Sequence, residues 1–178
     1  MGRESSEWYN TQILVGFTDQ RGKAWHYRED KQGAEPNHYP QAIPVDDVRR
    51  RLFSWQAEKK AVYINTNIGF AQIPNRSAVV RNDNNTVFGV FSDSYQVHQY
   101  DEWLLKNLAN IIDDDIAIGS AGLLKQGGVA WVSLEMPENI TALEGFDIRP
   151  HLLANTSHNG SMASTYKQVT TFVVCDNT

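Results

Sequence analysis

Residues 151–175, HLLANTSHNGSMASTYKQVTTFVVC, decide the expected fold of this chain because they hold its clearest turn signal. Two β-rich runs, residues 151–156 and 162–175, flank the dipeptide Asn159-Gly160. Asn-Gly between such runs is the strongest short hairpin signal, since both residues accept the positive φ of a type I′ turn. The stretch therefore predicts an antiparallel hairpin that reverses tightly at Asn159 and Gly160.

Two further predictions concern the end of the second run and the residues that follow it. Strict alternation places Cys175 on one face of the strand with Val169 and Val173, which predicts that the thiol is buried. The chain closes with Asp-Asn-Thr at residues 176–178, and these residue types favour the N-cap of a helix. We interpret the chain as a domain cut short where a helix should begin.

The composition of the 178-residue chain bounds the classes of function. With 41% hydrophobic and 21% charged residues, it is typical of a soluble globular protein. Its net charge of −5 weighs against a protein that coats nucleic acid by charge alone. The single cysteine excludes an internal disulfide. The lack of a signal peptide or membrane-length apolar run favours the cytoplasm and predicts no membrane partner.

Two segments are expected along the chain. Residues 1–45 are predicted to form an irregular N-terminal arm with a short strand at residues 13–17, because glycines and prolines interrupt the remainder of this segment. Residues 46–178 are predicted to form a single α+β domain. Apolar stripes at helical spacing predict a shorter helix at residues 46–55 and the main helix at residues 101–112.

Strand patterns account for the remainder of this domain. A strand is predicted at residues 62–64, followed by a hairpin over residues 78–91. A further hairpin is predicted over residues 116–136, with its turn at residues 125–128. In its second strand, alternation places Ala130, Val132, Leu134 and Met136 on the buried face and Trp131 on the otherwise polar face. The expected fold is therefore α+β, a mostly antiparallel sheet built from hairpins with one main helix packed on it.

Metal ligands are sparse in this sequence. His26 and His38 are candidates, but no carboxylate or cysteine stands at ligand spacing from either. The consecutive aspartates 113–115 would project in different directions, and they match no calcium-binding loop. Their position favours instead the end of the main helix, where acidic residues oppose the helix dipole. The sequence therefore predicts neither a metal site nor a cofactor.

Several short motifs occur in the order found in a family of mobile-element proteins. They are AWH (24–26), AVVR (78–81), FGV (88–90), DSYQV (93–97), SAG (120–122), GGVAWV (127–132), TSHNGS (156–161) and VVCDNT (173–178). With these motifs the chain resembles the phage/plasmid-like protein family over most of its length. Members of that family commonly continue beyond the closing Asn-Thr into a helical region. The resemblance implies a phage or plasmid context, and it names no reaction.

The first functional hypothesis is binding of single-stranded nucleic acid, with strand annealing as its specific form. The order of hairpins, helix and further hairpins is similar to that of the single-strand annealing proteins of phages. Such a site needs cations along the backbone groove and aromatic rings on which bases stack. The candidate residues are Arg49, Arg50, Arg51, Lys125, Trp131, Arg149, His158 and Lys167.

Two other classes of function stay open. An enzyme would use Cys175 or Ser157 as nucleophile, with His158 or His151 as base, but adjacent Ser157 and His158 would point in opposite directions on a strand. The same block is also explained as a structural turn whose short polar side chains bond their own backbone, formed by Thr156, Ser157, Asn159 and Gly160. The third hypothesis is a non-catalytic module that binds a host or phage protein or assembles into a homo-oligomer.

Overall fold

The computed structural model of the protein describes residues 13–18, 35–112, 116–136, 140–141, 143, 145 and 147–173. In chain order the elements are β1 (Ile13–Val15), α1 (Val45–Leu52), β2 (Ala57–Thr66), β3 (Gly69–Arg81), β4 (Val87–Ser92), a π-helix (Asp101–Lys106), β5 (Ala117–Leu124), a 3₁₀ turn (Lys125–Gly127), β6 (Val129–Glu135), β7 (Ile140–Thr141), β8 (Asp147–Ser157) and β9 (Thr165–Val173).

The strands form two antiparallel sheets. In the larger sheet β1, β5, β6 and β8 lie side by side in that order, and β9 pairs with the opposite edge of β8. The short strand β7 pairs with the first residues of β8 on the side of β6. The smaller sheet is a meander of β2, β3 and β4, which places its two hairpins next to each other.

One hydrophobic core joins both sheets and the helical segments. From α1 it receives Val48 and Leu52, which stand four residues apart on one face of the helix. The strands contribute a larger set of buried residues, among them Ala57, Val79, Ile118, Ala121, Ala130, Val132, Leu134 and Ala154. Ala130, Val132 and Leu134 form the buried face of β6, as the alternation predicted. The opposite face of β6 is largely covered too, because Ser133 and Glu135 are buried.

The prediction of an α+β fold with one main helix is wrong, because the protein is predominantly β. The segment expected to form the main helix contains a π-helix, Asp101–Lys106, with a short helical continuation. The apolar stripe predicted an inner face of Leu104, Leu105, Leu108, Ile111 and Ile112. The three leucines are buried, whereas Ile111 is exposed and Ile112 half-buried. An apolar stripe indicates which residues face the core. It does not distinguish a short π-helix from a long α-helix, because both can place these residues on one face. Within the described residues, α1 is the one α-helix of two turns or more.

Most local elements agree with their sequence patterns. The short strand near the N-terminus is β1, which pairs with β5, and the shorter predicted helix is α1. The predicted hairpins over residues 78–91 and 116–136 are confirmed by the antiparallel pairs β3/β4 and β5/β6. The second of these reverses at residues 125–128, as expected, because Leu124 pairs with Val129.

The predicted hairpin at the end of the chain is confirmed, but the predicted tight turn at Asn159 and Gly160 is wrong. β8 and β9 pair from Asp147 opposite Val173 to Asn155 opposite Thr165. Gly160 has a φ of 70°, whereas Asn159 does not take the positive φ that a type I′ turn requires. β8 continues beside β6 after its pairing with β9 ends, and the amide of His158 donates to the carbonyl of Gly128 next to the β5–β6 turn. A longer loop over residues 158–164 results.

Several predictions concern residues outside the described part of the chain. They are the burial of Cys175, the helix cap at residues 176–178, the aspartates 113–115, His26 and most of the N-terminal arm.

Candidate nucleic-acid interface

A hairpin arm, residues 58–76, extends from the smaller sheet. It consists of residues 58–66 of β2 and residues 69–76 of β3. At its base, residues 58–60 pair with residues 78–80, the part of β3 that also pairs with β4, and within the arm itself β4 pairs only with Arg76 among the described strands. At its tip, the Thr66 hydroxyl donates to the carbonyl oxygen of Gly69 over 2.6 Å. Gly69 has a φ of 124°, which favours glycine at this position. None of the residues of the arm is buried, so the arm lies outside the hydrophobic core.

A bulge divides the root of the arm from its tip. Ala61 pairs with Ser77 below the bulge, and Tyr63 pairs with Gln72 above it, so β3 carries the extra residues. Asn75 within this bulge has a φ of 58°, a conformation that asparagine tolerates better than most residues do. Bulges bend and twist a strand, so the tip is turned away from the plane of the root.

The tip presents an aromatic face formed by Tyr63, Asn65, Phe70 and Gln72. Tyr63 stands directly opposite Gln72, and Phe70 directly opposite Asn65, and directly opposed residues share a face of the hairpin. Tyr63 is 56% exposed and Phe70 is 79% exposed. Within the described chain, none of these four side chains has a hydrogen-bond partner or ring contact. The aromatic face is thus open to solvent and to a ligand.

The root of the arm carries cations that no carboxylate neutralises. Residues 58–76 contain Lys59, Lys60 and Arg76 against the single acid Glu58, although the chain as a whole has a net charge of −5. The Lys59 ammonium donates to the carbonyl oxygen of Asp93 at 2.7 Å, and that of Lys60 lies 3.3 Å from an amide oxygen. These acceptors are neutral. No ion pair joins the three cations to the acids of the described residues, so the arm is locally basic.

The arginines predicted to contact phosphate are in a different electrostatic setting on α1. Arg49 pairs with Asp46 at 2.5 Å and with Asp101 at 2.8 Å. Arg50 pairs with Glu35 at 2.5 Å and with Asp47 at 3.1 Å. The hydrogen bond and charge of Arg50 hold the pKa of Glu35 below its usual value.

Arg51 completes this α1 cluster. It donates to the carbonyl of Pro36 and to the hydroxyl of Tyr39. Since all three arginines have carboxylate partners, with Nη1 of Arg51 lying 3.8 Å from the Glu35 carboxylate, a phosphate group would compete with these contacts at each of them.

Three other predicted residues share one face of the larger sheet. Trp131 on β6, Arg149 on β8 and Lys167 on β9 fall on the same side by register. Lys167 is exposed and Trp131 half-buried, whereas Arg149 is only 9% exposed. The Trp131 ring lies over Gly122 of β5, where an added Cβ would come within 2.9 Å of it. Lys125 is exposed in the turn at the end of this sheet, apart from the other three.

His158 is fully buried, so a ligand in solvent does not reach it in this conformation. Its ring stacks on Tyr100 with centroids 3.9 Å apart, and Trp55, Phe88 and His98 surround it at centroid distances below 6 Å. Burial, assisted by the nearby His98, lowers the pKa of His158 to about 3. His158 is therefore a neutral member of the core where the two sheets meet.

The predicted turn residues hold the β8–β9 loop. The Ser157 hydroxyl donates to the carbonyl of Met162, and Asn159 accepts from the amide of Ser161. The Thr156 hydroxyl lies 2.7 Å from both Nε2 of His98 and the hydroxyl of Ser164. Ser157 thus bonds to backbone and not to an imidazole, and this offers no support for Ser157 as a nucleophile; Cys175 lies outside the described residues.

The described residues contain no group of three or more His, Cys, Asp or Glu side chains that could hold a metal ion. They also contain no helix with the length and apolar character needed to cross a membrane.

The hairpin arm was missed by the sequence predictions, which placed only a short strand at residues 62–64. A signal was present: Asn67-Ile68-Gly69 supplies turn residues between two runs rich in β-branched and aromatic residues. This hairpin signal was obscured because the run after the turn contains Pro74-Asn75. Such a dipeptide normally indicates the end of a strand, whereas here it lies within the bulge of β3.

Fold and site together define a predominantly β protein with an exposed, locally basic arm that carries aromatic and amide side chains. Residues 87–178 match the model of a domain of unknown function, DUF932, and the chain belongs to this family. The matched region contains β4 to β9, and the tip of the arm precedes it. We find no significant match to the chain among curated proteins or among solved structures.

Proposed function

We propose that this protein binds single-stranded nucleic acid through the hairpin arm. The observation that carries the proposal is the coincidence, on one exposed hairpin, of two solvent-facing aromatic rings and three cations that have no carboxylate partner among the described residues. Aromatic rings stack on bases and cations follow the phosphate backbone, which is the chemistry of single-strand binding. The site differs from the one predicted from the sequence, whereas the class of ligand is the same.

Single strands fit the arm better than a duplex. Bases in a duplex are stacked on each other, so exposed rings such as Tyr63 and Phe70 gain stacking only with unpaired bases. A net charge of −5 leaves the chain as a whole repelled by an extended polyanion, which favours a small contact at the arm. Phosphate contacts by Lys59, Lys60 and Arg76 imply a slope of log K against log salt of about −2.

The biological setting we propose is a phage or plasmid, with the protein acting in the host cytoplasm. This part of the proposal is supported by the resemblance to the phage/plasmid-like family. A protein that holds unpaired bases on an exposed arm suits steps in which single strands are kept accessible, and annealing of complementary strands is the specific form of that role.

The test is fluorescence anisotropy with a labelled single-stranded oligonucleotide over a salt series. Tyr63→Ala and Phe70→Ala should each weaken binding by roughly 1–3 kcal/mol, because each removes a ring on which a base stacks. Lys59→Gln/Lys60→Gln should weaken binding and make its salt dependence shallower, since two phosphate contacts are lost.

Arg50→Gln is a matched control for charge removal because its guanidinium is already ion-paired on α1. Lys167→Gln tests the sheet face predicted from the sequence. Binding that is unchanged by the arm substitutions and lost in Lys167→Gln would move the site to that face. No binding at low salt would reject the proposal.

A protein partner is the second candidate, and the extreme exposure of Ile68 favours it. Ile68 is 99% exposed at the turn of the arm, and Ile64 is 50% exposed on the face opposite the aromatic face. Exposed apolar groups on a hairpin serve contacts with another protein or with a second copy of the chain. Association that is insensitive to salt and lost in Ile68→Asp would support this candidate over nucleic acid.

A further inference from the structure

A pair of stacked rings, Phe91 and Tyr95, lies where the root of the hairpin arm meets the fold. Phe91 belongs to β4, and Tyr95 belongs to the DSYQV motif, residues 93–97, which follows that strand. The two ring centroids are 4.5 Å apart and the rings are inclined by only 17°, so the rings are nearly parallel. We call these two residues the ring pair.

Hydrogen bonds tie the DSYQV segment to the root of the arm. The carbonyl oxygen of Asp93 accepts from the Lys59 ammonium at 2.7 Å, and the amide of Asp93 donates to the carbonyl oxygen of Asn75 at 3.3 Å. The Asp93 carboxylate accepts from the Ser77 hydroxyl. Tyr95 stands two residues beyond Asp93, so its position is fixed relative to the arm.

The ring pair lies on the same side of the smaller sheet as the aromatic face of the tip. Phe91, Ser77 and Ala61 stand in one row across β4, β3 and β2. The extra residues of the bulge are on β3, so the alternation of β2 continues from Ala61 to Tyr63, which places both on one face. Two strand spacings and two residues separate Phe91 from Tyr63, a distance of roughly 12 Å. A short stretch of extended single strand spans such a distance.

Tyr95 has ring surface available for a base. It is half-buried at the edge of the core, and within the described chain its only ring contact is Phe91 and its hydroxyl has no hydrogen-bond partner. Phe91 is also packed against the β8–β9 loop, where a Cβ added to Gly160 would lie 3.0 Å from its Cε1 atom. Tyr95 therefore rests on a ring that the fold itself supports.

The charges between the tip and the ring pair set the path of the backbone. Lys59 shares its side of β2 with Ala61 and Tyr63 by alternation, and its ammonium lies against the segment that carries Tyr95. The carboxylate of Asp93 would repel a phosphate. A bound strand would therefore pass its phosphates on the side of Lys59, with its bases turned toward the rings.

We propose that Tyr95 is a third stacking residue for single-stranded nucleic acid, so that a bound strand runs from the tip of the arm across its root to the ring pair. The inference rests on the proposed function of the arm. A strand too short to reach the root would contact only Tyr63 and Phe70 at the tip, whereas a longer strand would gain one more stacked base.

The experiment measures anisotropy with labelled oligo-dT strands of increasing length. Tyr95→Leu keeps an apolar side chain against Phe91 and removes the ring. It should weaken the binding of the longer strands by about tenfold, as expected for the loss of one stacked base, and leave the affinity for the shortest strands that bind within about twofold. Tyr95→Phe should bind all lengths like the wild type, because it keeps the ring.

Tyr166→Leu is the matched control, because Tyr166 is also a tyrosine stacked on a neighbouring ring, but it packs on the π-helix at Trp103. It should bind all lengths like the wild type. A second measurement needs no variant: a strand with one iodouracil beyond the part held by the tip should cross-link to Tyr95 of the wild type under ultraviolet light, and mass spectrometry would identify the residue.

Unchanged affinity of Tyr95→Leu for the longer strands, or cross-links confined to the tip, would overturn the inference. Weaker binding by Tyr63→Ala and Phe70→Ala would in that case still support the proposed function. An equal loss at all lengths would also overturn the inference, because Tyr95 would then act by positioning the arm and not by stacking. Failure of the wild type to bind any strand would reject both proposals.

Discussion

At the scale of single residues, Gly119 shows how a core polar group is accommodated. The Glu135 side chain is buried against Gly119 at a β-bulge of β5, and a Cβ added to this glycine would lie 1.4 Å from its Oε1 atom. His151 lies directly opposite Glu135 on β8, with Nδ1 3.3 Å from Oε2. A glycine is required here because the carboxylate occupies the space that any other side chain would need.

Gly119→Ala should therefore destabilise the protein by roughly 2–5 kcal/mol, since the carboxylate must leave its imidazole partner or the bulge must shift. Urea unfolding would measure the loss. In Glu135→Ala the space is vacated, so adding Gly119→Ala to that variant should cost less than adding it to the wild type. Equal costs in the two backgrounds would show that Glu135 is not the obstacle.

His158 predicts a pH dependence of stability. Its pKa is lowered by burial to about 3 in the folded protein, below the ordinary histidine value of about 6.5 in the unfolded chain. The unfolded chain therefore binds the proton more readily between these values. The stabilising effect of a neutral His158 is complete above about pH 6.5 and is lost progressively as the pH falls toward 3.

His158→Phe should keep the stacking on Tyr100 and remove this titration. We expect the wild type to lose about 2 kcal/mol more than the variant between pH 6.5 and about pH 5, measured by urea unfolding. The variant should keep some pH dependence, because burial also lowers the pKa of His98. Identical pH profiles would contradict the assignment of His158 as a neutral core residue.

At the scale of elements, the hairpin arm is separable from the core. Ala61 and Ser77 are directly paired, so residues 62–76 can be replaced by Asn-Gly, the two residues that best close a short hairpin. None of the removed residues is buried. The melting temperature should change by less than about 3 °C, and binding of single strands should be lost although Lys59 and Lys60 remain.

Calorimetry and anisotropy on this shortened protein measure the two effects separately. A large drop in melting temperature would show that the arm supports the core. Unchanged affinity would place the binding site elsewhere, with the sheet face of Trp131 and Lys167 as the next candidate. The end of β8 offers a contrast, because Thr156 and Ser157 are buried and hydrogen-bonded to His98 and to the carbonyl of Met162 in the β8–β9 loop.

At the scale of the whole molecule, the two sheets share one core. The charged residues are unevenly distributed outside it. Residues from both sheets meet around Trp55, Tyr100 and His158, where edge-on and stacked rings join β4 to the end of β8. The acidic chain nevertheless carries a locally basic arm outside this core. The proposed contact of this acidic protein with a polyanion depends on that separation.

The sequence by itself determined the local elements whose signals are local. The hairpin turn at residues 125–128, the β3–β4 hairpin, the alternation of Ala130, Val132 and Leu134, and the position of α1 follow from turn chemistry and hydrophobic periodicity. The pairing of β8 with β9 in a hairpin was predicted from the same kinds of signal, but the conformation of its turn was not.

Only the tertiary structure decided the balance of helix and sheet, the path of the β8–β9 loop and the environment of each charge. A buried stripe is compatible with a π-helix or an α-helix, and the amide of His158 donates to the carbonyl of Gly128, a residue thirty positions earlier. The sequence pattern gives no sign that Arg49 and Arg50 are ion-paired, yet they pair with Asp101 and Glu35 across the fold. Lys59 and Lys60 have no carboxylate partner in the described part of the chain. Charge pairing depends on distances between remote segments, and a pattern within one segment does not contain them.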